Sequence, residues 1–165
     1  MINIPHAYSQ RDLRWAFKQI NKAGTFWNIG CTDTALTMLL EAAGYKFTPD
    51  TVESMLQAHG GFNSLGQILW GVVSQVFYQV VWKYRYYNSY DNDKVLSYIN
   101  RGIPVMVEVL INKQFHHWVL FIGDHKMIDP LDGNTKSTST YPVIGWSEFD
   151  IPNIVPNFVK SSNLG

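Results

Sequence analysis

The chain has 165 residues, of which 46% are hydrophobic, 15% aromatic and 16% charged. That length and apolar content support one real core, burying roughly two-thirds of the unfolded surface, and exclude a disordered chain. Lys plus Arg and Asp plus Glu each number 13, so no global field gathers nucleic acid or anionic lipid.

The opening residues Met1-Ile2-Asn3-Ile4-Pro5-His6 have no basic region followed by an apolar run. No later stretch approaches the roughly 20 apolar residues of a membrane span, so nothing in the chain is expected to export or anchor it. Leu13, Ala16, Phe17 and Ile20 recur at helical spacing and predict a short helix over Asp12 to Lys22. From Thr32 to Ala43 apolar side chains wrap nearly all the way round, and Gly44 follows as a terminator. This is a buried central helix. Thr48 and Pro49 open a helix to Ala58, the Gly60-Gly61 break separates it from a helix over Leu65 to Gln79, and Asp91 to Arg101 makes one more, closed by Gly102.

After Gly102 the period changes. Ile103 to Leu110 and His117 to Ile122 are β-rich runs, the second turning at Gly123-Asp124-His125 into Met127-Ile128-Asp129; Tyr141 to Phe149 reads as a last strand with Pro142 near its start. Helices first and antiparallel strands second give an α+β fold, with a cleft between the lobes as the natural site. Lys83-Tyr84-Arg85-Tyr86-Tyr87 interleaves basic and aromatic residues as single-strand binders do. Without net positive charge it reads as strand or strand-edge surface, and no nucleic-acid partner is expected. No internal linker splits residues 1–160, taken as one domain, and Ser161-Ser162-Asn163-Leu164-Gly165 reads as a tail or the start of a linker.

The single cysteine, Cys31, excludes an internal disulfide framework and leaves packing or reactivity. It stands where Gly30 runs into the central helix. A helix N-terminus favours thiolate over thiol, and the thiolate is the nucleophile. An acyl-transfer site also needs an imidazole, a group that orients it and donors for the oxyanion. His117 opens a strong strand and Asp129 lies in the neighbouring run, so an even register across the hairpin places both on one face. His116 competes with His117 but faces the other way. Asp132 competes with Asp129, though it also suits the Leu131-Asp132-Gly133-Asn134 turn. A zinc site from Cys31, His116, His117 and Asp129 has the right residue types, but the opposed histidine faces and the lack of a second metal-type cluster count against it.

Cysteine, then histidine on a strand, then an acid on the next strand, with helices before the sheet, resembles the papain-like cysteine peptidases. Tyr8-Ser9-Gln10-Arg11-Asp12-Leu13-Arg14-Trp15, Gly30-Cys31-Thr32-Asp33-Thr34-Ala35-Leu36, Gly102-Ile103-Pro104-Val105, His117-Trp118-Val119-Leu120 and Ile128-Asp129-Pro130-Leu131-Asp132-Gly133 resemble its bacteriocin-processing-peptidase-like branch. The resemblance covers most of the chain. It departs at Leu13, where the family often has proline, and at the polar pair Thr32-Asp33.

The resemblance implies a papain-like fold and assigns Gln10 to the oxyanion hole, with Cys31 as nucleophile, His117 as base and Asp129 as its orienting group. The activity expected is hydrolysis of an amide bond in a peptide or a peptidoglycan peptide of bacterial or phage context, without cofactor or metal. A deamidase or acyltransferase using the same triad is the alternative within that class, and a non-catalytic binding or immunity module is the alternative outside it. Trp27, Trp70 and Trp118 are candidates for a substrate groove, although core packing accounts for each, and Trp27 has the best position.

Overall fold

The computed structural model describes residues 1–155. The expected tail at 161–165, and the end of the expected domain at 160, lie outside the described residues. The chain first forms a hairpin of β1 (Gln19–Ile20) and β2 (Gly24–Thr25), then α1 (Phe26–Ile29) and α2 (Cys31–Glu41). The helices α3 (Pro49–Ala58) and α4 (Trp70–Val76) follow, then β3 (Val81–Tyr87) and α5 (Asn92–Asn100). The remaining strands are β4 (Val105–Ile111), β5 (Phe115–Gly123), β6 (Lys126–Asp129), β7 (Asn134–Ser137) and β8 (Val143–Asp150). β3 to β8 form one antiparallel sheet in the order β3-β8-β4-β5-β6-β7, so the fold is α+β with the helical elements gathered mainly before the sheet.

The expected helix over 12–22 is absent. Asp12 Oδ1 accepts from the Arg14 backbone N–H at 2.9 Å, a local bond that competes with helix formation, and Asn21 and Lys22 take positive φ values of 47° and 59° to turn the β1–β2 hairpin. Its apolar spacing is therefore divided: Ala16 and Ile20 are buried, whereas Leu13 and Phe17 are 77% and 70% exposed. The helix expected over 65–79 contracts to α4. Asn63 Oδ1 accepts from the Leu65 and Gln67 N–H groups, each at 3.0 Å, and Gly66 has φ +74°, so residues before Trp70 form a loop.

Where local signals agree, the elements hold. α3 has Thr48 as N-cap and Pro49 in the first turn, and α5 is capped by Asp91, whose carboxylate accepts from Lys94 N–H at 3.0 Å. The basic and aromatic run at 83–87 belongs to β3, which among the described residues is an edge strand paired with β8 alone.

Both faces of the sheet are covered. Tyr98 of α5 packs edge-on against Trp146 with centroids 6.4 Å apart, while Trp70 of α4 meets Trp118 at 5.1 Å and Phe149 at 5.9 Å. The central helix α2 lies against β5 and is buried from Asp33 to Glu41. Its start is set by Gly30, where an added Cβ would sit 2.5 Å from the Phe26 ring and 2.6 Å from its carbonyl oxygen. Only glycine lets α1 turn so closely into α2, and that turn delivers Cys31 to the first helical position.

Candidate active site

The β5–β6 register pairs Leu120 with Ile128 and Phe121 with Met127, which sets Asp129 opposite Val119 and diagonal to His117 on the same face. His117 Nε2 lies 2.7 Å from Asp129 Oδ1, and both residues are buried. The other oxygen, Oδ2, accepts from Lys136 Nζ and from the Tyr141 hydroxyl, each at 2.7 Å. The Leu131 N–H adds a bond of 2.9 Å to Oδ1. Burial alone raises a carboxyl's proton affinity, but these donors outweigh it and hold Asp129 well below the usual carboxylate range.

Cys31 meets this pair from the helical lobe. Burial pushes its thiol up, but a hydrogen bond to His117, the charge of that imidazole, the Trp118 backbone N–H and the Thr32 hydroxyl together bring it below its ordinary value. The Thr32 oxygen is 3.9 Å from Sγ. His117 responds in the opposite sense. Burial pulls its proton affinity down, whereas the bond to Asp129 and the contact with Cys31 raise it to about 9. Both shifts favour a thiolate beside an imidazolium.

Gln10 is buried, and Nε2 donates to the carbonyls of Phe26 at 3.2 Å and Trp27 at 3.1 Å, in the short helix that leads to Cys31. Its Oε1 has no hydrogen-bond partner among the described residues. The backbone around it is tied to the Asp129 side of the site: Gln10 N–H donates to Pro130 O at 2.7 Å, and the Ser9 hydroxyl donates to Leu131 O at 3.0 Å. Residues far apart in sequence are thereby brought to one place: Gln10 and Asp129 through these ties, Cys31 through α2, and His117 through β5.

The competing residues go elsewhere. His116 Nδ1 lies 3.2 Å from Glu108 Oε2, while Arg85 donates to Glu108 Oε1 at 2.7 Å. Asp132 Oδ1 accepts from Asn134 N–H at 2.9 Å, which makes it a turn former. Among the described residues, no group of three or more His, Cys, Asp or Glu side chains is placed to hold a metal ion. Trp70 and Trp118 pack on each other, but Trp27 is 38% exposed, stacked on Phe17 at 6.2 Å and covered by the Arg11 guanidinium at 4.7 Å.

The residues 4–149 match the model of the Peptidase_C39 like family. The chain belongs to that family. No curated protein and no solved structure matches it at a significant level. Family membership carries the papain-like fold and a cysteine-peptidase-type function, and the matched span includes Gln10, Cys31, His117 and Asp129. No helix among the described residues is long and apolar enough to cross a membrane.

Three features of this family member's site have no sequence signal strong enough to nominate them. Lys136 sits in a short, polar, mostly exposed strand, and Tyr141 precedes a proline at a strand start. The third is Asp33, buried two residues after Cys31 with Oδ1 unpartnered among the described residues. Burial, the Glu53 carboxylate and the Cys31 charge raise its proton affinity well above the ordinary value, and Lys18 opposes them only in part. Lys18 instead pairs with Glu53 at 2.9 Å. A protonated Asp33 adds no negative charge beside the thiolate.

Proposed function

We propose that this protein hydrolyses amide bonds in peptides through Cys31, His117 and Asp129, with Gln10 and the Cys31 N–H as oxyanion donors. The observation that carries the reading is the buried imidazole of His117, bonded through Nε2 to Asp129 at 2.7 Å and facing the chain's single thiol. With Nε2 committed to Asp129, Nδ1 serves Cys31.

The thiolate attacks the scissile carbonyl carbon, forming the C–S bond while the carbonyl π electrons move onto oxygen. That oxyanion meets the backbone N–H at the start of α2 and one N–H of Gln10. Nε2 donates to the consecutive carbonyls of Phe26 and Trp27 at 3.2 and 3.1 Å, so service to the oxyanion requires one of these N–H groups to leave its carbonyl. Collapse breaks the C–N bond, and the imidazolium gives its proton to the leaving amine. Water then attacks the thioester as His117 takes its proton. Breaking the C–S bond releases the acid and restores the ion pair. Asp129 holds one ring orientation throughout and favours the imidazolium.

As physiological substrate we propose stem or cross-bridge peptides of bacterial peptidoglycan, in a bacterial or phage setting; family membership supports the broader class, a peptide substrate. The exposed Trp27–Phe17 stack with Arg11 over it offers an apolar and cationic surface at the carbonyl that holds Gln10. The test incubates the full chain with purified peptidoglycan and with a diverse peptide library, and reads new amines by mass spectrometry. Cys31→Ala is expected to keep the fold and lose hydrolysis by at least ~10³-fold. Retained hydrolysis in that variant overturns the mechanism. Cleavage of library peptides without release from peptidoglycan overturns the substrate alone.

A further inference from the structure

The third member of the proposed triad is held on both oxygens, and only one of them faces the imidazole. Oδ1 takes His117 Nε2 at 2.7 Å and Leu131 N–H at 2.9 Å. Oδ2 takes the Lys136 ammonium from β7 and the Tyr141 hydroxyl from the segment before β8, each at 2.7 Å. The same ammonium lies 3.0 Å from Asp132 Oδ2, in the turn between β6 and β7. A buried carboxylate held on Oδ1 alone is free to rotate and exchange oxygens. Two short bonds on Oδ2 remove that freedom.

We propose that Lys136 and Tyr141 are positioning residues that clamp Asp129 so that Oδ1 addresses His117, and that the Lys136 charge, shared between Asp129 and Asp132, sets the negative charge Asp129 presents to the imidazole. This inference rests on the catalytic reading above and adds the device that tunes it. The charged and titratable groups facing the pair are Cys31 from α2, Asp129 from β6, Lys136 from β7, Tyr141 from the segment before β8, and Asp132 behind Lys136. Removing the ammonium leaves Asp129 more negative towards His117, so the imidazolium persists to higher pH. Removing the Asp132 charge leaves the ammonium less offset, so the imidazolium deprotonates at lower pH. The two changes have opposite signs.

The test titrates the His117 ring by NMR in the full chain and measures iodoacetamide alkylation of Cys31, the only cysteine, across the same pH range. In the unmodified chain the His117 midpoint is expected near 9. Lys136→Met raises it by about half a unit or more, Lys136→Arg restores it, and Tyr141→Phe raises it by less. Asp132→Asn lowers it by a few tenths of a unit, roughly, with the Asn134 N–H still satisfied by the amide oxygen. The alkylation profile moves with the ring in each case.

A His117 midpoint that does not move in Lys136→Met, or that moves the same way in Lys136→Met and Asp132→Asn, overturns the proposal. If Lys136→Met fails to fold, Asp132→Asn and Tyr141→Phe carry the test, and an unmoved midpoint in both overturns it. The ring titration needs no turnover. Unmoved midpoints with Cys31→Ala inactive therefore overturn the clamp alone, whereas hydrolysis by Cys31→Ala overturns the triad on which it rests.

Discussion

Two carboxylates in this sheet each stand between a histidine and a cation: Asp129 between His117 and Lys136, and Glu108 between His116 and Arg85. The two histidines are sequence neighbours on β5, and strand parity sends them to opposite faces. On one face the imidazole is buried and meets a thiol at a helix start. On the other, the His116 side chain is 66% exposed, and Arg85 lies against the rings of Tyr87 and Trp118 at 4.0 and 4.7 Å. The His-carboxylate-cation arrangement is thus a recurrent way of satisfying charge in a sheet. What singles out the Asp129 cluster is the thiol beside it and the burial of its histidine–carboxylate bond, whereas His116 is largely exposed.

The comparison breaks most sharply at the histidines. His117→Ala is expected to lower kcat/KM by roughly 10³-fold or more, while His116→Ala stays within about threefold of the unmodified chain. Peptide hydrolysis assays of both variants check this, and equal activities would remove the distinction between the faces. Next in size is the structural role of the second cluster. Arg85→Met leaves Glu108 buried without its cation, at an expected cost of about 3–5 kcal/mol in denaturant unfolding. Its Cys31 alkylation profile should match that of the unmodified chain; a displaced profile would couple the two faces.

The smallest effect concerns pH. Asp129 is depressed when folded, so its stabilisation is present above the ordinary carboxylate range, about pH 3.9, and is lost on acidification. His117 is raised when folded, so its share is complete below about pH 6.5 and fades as pH rises through about 9. The unfolding free-energy difference between the unmodified chain and Asp129→Asn should therefore peak between about pH 4 and 6.5. Asp33→Asn should act oppositely, raising the melting temperature by a few degrees at pH 7 relative to pH 4, because the raised carboxyl destabilises the fold as pH climbs. Thermal unfolding across pH reads both, and a melting difference independent of pH would refute the protonated form of Asp33.

Much of this arrangement is legible along the chain because it depends on short-range rules. Gly30 before Cys31, Thr48-Pro49 before α3 and Asp91 before α5 mark helix starts through groups within a turn. The odd numbering shared by His117 and Asp129 puts them on one face once the hairpin register is even. The failures have the same physical origin. The spacing over Asp12 to Ile20 is locally helical, but an Asp12 side-chain bond and the β1–β2 turn win, leaving Leu13 and Phe17 outside. In the loop before α4, the Asn63 side chain takes N–H groups that an extended helix would have used differently.

Taken alone, the sequence determined the place of Cys31 at a helix start, the parity that separates His117 from His116, and the α+β order of elements. Those depend on backbone geometry repeating every two or 3.6 residues. Tertiary structure decided the rest. It brought Gln10 under the Phe26 and Trp27 carbonyls, pressed the segment before it against Pro130 and Leu131, and closed Lys136 and Tyr141 onto Asp129. A carboxylate buried away from water must find its donors wherever the folded chain supplies them, and no period along the sequence records that supply.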